Sequence, residues 1–195
     1  MAISYPLDTP TTIGIESIEL RAVNAVATSQ SPFTYKQQVI SHGGQKWEAS
    51  VTIPPVRRDL AAPWKSMLVS LKGPTGTFLL GDPDYATPQG TVSSCTLSGT
   101  AGDETPTVTM TGSLKAGDYI QLGSAGNSRL HQVLEDQSGS GTLEIWPALR
   151  VTYTNASVTF NNPKGVFRLA SNVTSWSINN TSAYGISFEA VEALT

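Results

Sequence analysis

Between Lys46 and Pro83 the chain changes its hydrophobic period twice, and few folds accommodate such a change. From Lys46 the residues KWEASVTI alternate without a break: Trp47, Ala49, Val51 and Ile53 share one side, and Lys46, Glu48, Ser50 and Thr52 the other. A period of two marks a strand with one buried face. In the following RRDLAAPWKSMLVSLKG the bulky apolar residues Leu60, Trp64, Met67, Leu68 and Leu71 recur at helical spacing. The spacing predicts a helix over about 59–72, with Asp59 as its N-cap. Pro63 favours a start a residue or two later, because proline is tolerated best in a first turn. Gly73 and Pro74 stop the helix, and GTFLLGDP returns to a strand. No second helical pattern follows. A lone amphipathic helix in a strand-rich chain must lie on one sheet, so the expected class is mainly β.

The remaining segments read as strands. Residues 1–16, with Pro6, Pro10 and Gly14, read as an extended arm. Ile15 to Ala27 predicts a first strand and Phe33 to Ile40 a second. The run His42 to Gln45 predicts a tight hairpin turn, since Gly-Gly between strands favours one. Pro54-Pro55 is expected to end the alternating strand. Gly81 to Gly90 is rich in breakers and reads as a linker. From Thr91 to about Phe160 short strands separated by glycine turns describe a small all-β barrel or sandwich. Asn161 to Gly165 is a second breaker cluster. Beyond it Tyr184, Ile186, Phe188 and Ala190 alternate again.

Two linkers bracketing a β module suggest an insertion, with residues 1–87 plus 164–195 closing one domain around 88–163. Charge distinguishes the parts. Residues 88–163 hold six acids (Asp103, Glu104, Asp118, Glu135, Asp136, Glu144) and three bases (Lys115, Arg129, Arg150), whereas the remainder is balanced. The competing reading is one continuous β domain with a long, turn-rich middle.

Composition narrows function more than it names one. Charged residues make up only 14% of the 195, against about 25% in ordinary domains, so the polar surface is built of Ser, Thr, Asn and Gln. The formal net charge of −3 gives no footprint for non-specific nucleic-acid binding. The N-terminal MAISYPLDTPTT has no basic start or apolar core, so no signal peptide is expected. No apolar run reaches the roughly 20 residues that cross a bilayer. Cys95 is the only cysteine, which excludes an intrachain disulfide and fits a reducing compartment.

The chain offers no catalytic constellation. His42 and His131 have no neighbouring ligand at a metal spacing. Cys95 lies in an alternating run without basic neighbours, as a small packed side chain would. Asp82 and Asp84 flank a proline in a natural turn, with calcium as the less favoured reading. Of four tryptophans, Trp47, Trp64 and Trp176 are in phase with apolar positions and Trp146 alone is a candidate to stack on a sugar, with core or interface the favoured reading for all four. Arg57, Arg58, Lys65 and Lys72 form the one basic concentration, a candidate inter-subunit contact. No enzyme activity, cofactor or metal is expected.

The order of these parts resembles the distal tail proteins of long-tailed (siphovirus) phages. The stretches that carry the resemblance are MAISYPLDTPTTIGIESIELRAVNAVA, SPFTYKQQV, GGQKWEASVTIPPVRRDLAAPWKSMLVSLKGPTGTFLLGDP, LKAGDYIQLG, RLHQVLED, GTLEIWPALR and FRLASNVTSWSINNTSAYGISFEAVEAL. They cover nearly the whole chain. No single one is diagnostic, and their order is what carries the likeness. The resemblance implies a tail-tube-like β-sandwich or barrel with one flanking helix and an inserted OB-like β-barrel. It implies a homo-hexameric ring around the DNA exit channel, joining the tail-tube protein to hub and tail-tip proteins and to side fibres. DNA would meet the ring only in transit, and the chain would not insert in a membrane. The implied location is the virion tail tip, after assembly in the bacterial cytoplasm. The alternatives are a tail-tube subunit or other tip component, and a carbohydrate-binding tip module.

Overall fold

The computed structural model describes residues 3–180 and 182–194. Its strands and helix are, in order, β1 (Ser17–Gln30), β2 (Gln37–Val56), α1 (Arg58–Ser70), β3 (Phe78–Leu80), β4 (Ser94–Gly99), β5 (Thr107–Thr111), β6 (Ser113–Leu114), β7 (Tyr119–Leu122), β8 (Arg129–Val133), β9 (Gln137–Ser138), β10 (Gly141–Thr142), β11 (Ile145–Trp146), β12 (Tyr153–Thr159), β13 (Gly165–Leu169), β14 (Trp176–Ile178) and β15 (Tyr184–Glu192). The protein is mainly β, with a single α-helix among the described residues.

The first sheet runs β1-β2-β15-β13-β3, with β14 added beside β15. The predicted alternation governs it. Trp47, Ala49, Val51 and Ile53 of β2 are buried, as are Ile186 and Ala190 of β15. On this face lies α1, which buries Ala61, Trp64, Met67 and Leu68. Trp64 meets Phe188 at 6.2 Å, and Phe78 meets the same ring edge-on at 6.0 Å. Burying Leu68 and Leu71 contributes roughly 1.5–3 kcal/mol each.

Helix α1 begins one residue earlier than predicted. Arg57 is the N-cap and offers no side-chain bond, while Asp59 sits in the first turn. There its carboxylate still meets the positive end of the helix dipole. Pro63 lies inside the helix, where it deprives the Asp59 carbonyl of its usual donor. The helix ends at Ser70, and a 3-10 turn over Gly73–Thr75 follows.

The second sheet runs β10-β5-β4-β12-β7-β8-β11. Only Leu143 and Glu144 separate its two outermost strands, so the sheet curls until its edges meet. Leu97, Leu114, Ile120, Leu122 and Leu143, all fully buried, fill it. The chain leaves the first sheet at Leu80 and re-enters beside it at Gly165, the residue paired with Leu80.

The two cores share a joint. Leu130 of β8 is buried in the first core, with Tyr119 and Trp146 packed against it. Trp47 Nε1 donates to the Leu130 carbonyl at 3.0 Å, and its ring stands edge-on to Trp146 at 4.5 Å. Glu192 accepts from the Trp47 amide at 3.1 Å and from Arg150 at 3.0 Å. The linkers are pinned as well. Asp118, fully buried, accepts the amides of Gln89, Gly90 and Lys115. Gln121 accepts the amide of Lys164 at 2.8 Å.

Two expectations are overturned. No hairpin turn forms at His42 to Gln45. β2 runs unbroken through it, and the turn lies at Ser31 to Lys36. The glycines instead mark a bulge: Asn24 pairs with Gln45 but Val26 with Ser41, so His42, Gly43 and Gly44 stand opposite Ala25. Gly43 has φ of 70° there, a conformation glycine adopts without strain. Pro54-Pro55 does not end β2 either. The prolines fall where the pairing with β15 shifts between Tyr184 and Ile186, so no ladder donor is lost. From Ile3 onward the N-terminal segment lies along the first sheet. Leu7 bridges Phe78 on the outer edge of β3, and Tyr5 donates its hydroxyl to the Ser70 carbonyl at 2.6 Å.

Candidate functional site: the hairpin arm and the basic end of the helix

What projects is the distal half of the β1–β2 hairpin. Beyond Gln45 both strands are exposed on both faces, from Asn24 to Gln30 and from Gln37 to Gly44. No third strand pairs with either one there, since β15 meets β2 only from Glu48 to Val56. About six residues of extended chain beyond the bulge give an arm of roughly 20 Å. It carries large apolar groups into solvent: Val26 47%, Phe33 92%, Tyr35 74%, Val39 61% and Ile40 49% exposed.

The tip is built rather than loose. Tyr35 donates its amide to the Ser31 carbonyl at 2.9 Å, and Ser31 donates to Lys36 at 3.0 Å. The Ser31 hydroxyl accepts the amides of Phe33 and Thr34, both at 3.4 Å. Tyr35 takes a φ of 55° to close this turn. The short polar side chain at the turn's first position supplies the bonds that a glycine-free turn needs.

The four basic residues singled out in the sequence do not form one patch. Arg57 and Arg58 stand together at the start of α1, where with Asp59, Ala62 and Ser182 they line an open hollow of about 520 Å³. Arg57 reaches Asp59 at 3.7 Å, with side chains 82% and 64% exposed. Such a pair contributes little by itself. Lys65 lies over the rings of Trp176 at 4.8 Å and Tyr184 at 4.6 Å. This cation–π clamp ties the outer face of α1 to β14 and β15. Lys72 lies past the far end of the helix, exposed, with φ of 52°. The arm, by contrast, carries no sequence motif. Its apolar residues, Val26, Phe33, Tyr35, Val39 and Ile40, are scattered among polar ones without a regular period.

Other candidates prove structural. Trp146 is packed at the joint and donates to Asn24 Oδ1 at 2.9 Å, so it is not a free sugar platform. The more exposed tryptophan is Trp176, at 37%. Asp84 donates its amide to Asp82 Oδ1 at 3.0 Å, the expected turn. Burial pushes the Cys95 thiol up to about 11, which leaves it protonated and unreactive at neutral pH. His131 is fully buried and donates from Nδ1 to the Pro147 carbonyl at 2.7 Å. Its Nε2 has no partner. Burial, with Arg150 and Arg129 nearby, holds the ring's pKa down at about 4 despite the Pro147 bond. The ring is therefore neutral at physiological pH.

Among the described residues no group of three or more His, Cys, Asp or Glu could hold a metal ion. None of the described helices is long and apolar enough to cross a membrane. No family model matches the chain, and no curated protein is significantly similar to it.

Proposed function

We propose that this chain is a structural subunit of a closed ring, the distal tail ring of a long-tailed phage. In that reading six copies surround the DNA exit channel and join the tail tube to the hub and receptor-binding tip. The observation that carries the reading is the hairpin arm. It gathers five exposed apolar side chains, Val26, Phe33, Tyr35, Val39 and Ile40, on one two-stranded projection of a charge-poor molecule. A two-stranded hairpin with no third strand or core behind it is marginal in water, so an arm of this kind makes sense when a neighbour covers it. Its occupant also has a direction. The arm extends from one end of the first sheet and the basic end of α1 lies at the other, which suits repeated head-to-tail contacts that close on themselves.

The rest of the molecule suits the role. The sheet face away from α1 carries Lys46, Glu48, Ser50 and Thr52, a mixed polar surface that gives passing DNA no basic track to bind. The curled second sheet is fixed to the ring-forming part by Trp47, Trp146 and the Arg150–Glu192 pair, a rigid mount for a side fibre or hub protein. Light scattering coupled to size exclusion, with negative-stain imaging, tests the reading. Closed six-fold rings are the expected result. Long polymers would point to a tube subunit, and a monomer at every concentration would end the ring proposal.

A further inference from the structure

The arm tip and the hollow at the start of α1 sit at opposite ends of one strand. Lys36 immediately precedes β2 and Arg57 immediately follows it. Twenty residues of β2 lie between, a span on the order of 60 Å. The tip therefore cannot enter the hollow of its own chain. A tip seated there must come from another copy, and the contact so made is heterologous.

We propose that Phe33 and Tyr35 of one copy seat in the hollow formed by Arg57, Arg58 and Ala62 of the next, with Lys36 set against Asp59. This rests on the ring reading and names the contact that would close it. Three properties match. The tip presents two aromatic rings, 92% and 74% exposed, on a turn held by four hydrogen bonds, so little ordering entropy is lost on docking. The hollow is walled by arginine stems around Ala62, and guanidinium groups stack on aromatic faces. One ion pair is also available across the contact, because Asp59 is the single acid beside Arg57 and Arg58 in the hollow. Lys36 flanks the rings, while Asp59 at the hollow holds Arg57 only loosely, at 3.7 Å. Docking the tip supplies the cation that Asp59 lacks at close range.

The test compares the native chain with surface variants that leave the core untouched. Phe33→Ala with Tyr35→Ala should raise the concentration of half-assembly by about tenfold or more, as loss of an aromatic anchor does. The melting temperature of the subunit serves as the check on folding. Asp59→Lys should weaken assembly, and Lys36→Glu added to it should restore it. Phe33→Cys with Ala62→Cys should give, on oxidation, a ladder of linked chains. Two negative results are distinct. If the native chain forms rings but the alanine pair assembles normally and no ladder appears, this contact is wrong and the ring reading stands. If the native chain never assembles, both fall together.

Discussion

The two halves of the β1–β2 hairpin are made of the same two strands and share one hydrogen-bonded ladder, yet they differ in nearly every other respect. In the proximal half, Trp47, Ala49, Val51 and Ile53 face α1 and a common core. In the distal half, Val26, Val39 and Ile40 face solvent. Backbone pairing is the same on both sides of the bulge at His42 to Gly44. The difference shows that strand geometry needs only the ladder, whereas stability needs something to bury. The proximal half finds it inside the subunit. In the reading advanced above, the distal half finds it in a neighbour.

Substitutions can break this contrast. The largest effect is expected at Trp47, which fills the first core, donates to Leu130 and meets Trp146 edge-on. Trp47→Ala should destabilise the subunit by about 3–5 kcal/mol in urea titration, and should loosen the second sheet from the first. A loss below about 1 kcal/mol would mean that the joint is not a shared core.

Acid probes the same joint. The unfolded His131 takes up a proton near pH 6.5, but the folded one only near pH 4. Stability contributed by the neutral ring is thus fully present above pH 6.5. It declines as the pH falls from 6.5 to about 4, by about 3 kcal/mol in all. His131→Gln should remove that part of the slope, and an unchanged pH profile of denaturation midpoints would contradict the assignment. The smallest effect on the subunit is expected in the distal half. Val39→Ala with Ile40→Ala should change subunit stability by no more than about 0.5 kcal/mol, while lowering assembly. If the pair instead unfolds the subunit, the two halves are not independent and the contrast fails.

How far these features could be read in advance depended on the range of the interactions behind them. The stripe of Trp47 to Ile53 and that of Trp64 to Leu71 are local patterns, and each predicted its buried face. The hairpin turn was not local in this sense. Gly43-Gly44 has the chemistry of a turn and of a bulge alike, and only the pairing of Ser29 with Gln38 and Gln30 with Gln37 shows which applies. The true turn contains no glycine; it relies on Ser31 and on Tyr35 at positive φ. The prolines at 54 and 55 likewise became harmless through a register shift against β15, some 130 residues away. In the basic cluster, Arg57 and Arg58 stayed together because they are adjacent. Lys65 left the group because Trp176 and Tyr184, more than 100 residues on, lie over it.

The pairing of Leu80 with Gly165 has a kinetic side. These neighbours in space are 85 positions apart in sequence, and the second sheet is threaded between them. Were that segment still an open coil, bringing its ends together would add to the barrier an entropy that grows with the logarithm of its length. Once β4–β5 and β7–β8 have formed as short hairpins and curled, the same ends are held close by Asp118 and Gln121. The curled sheet then acts as a template that presents β13 to β3. If the second sheet forms first, the segment that interrupts the first sheet becomes the clasp that shortens the search for its closing strand.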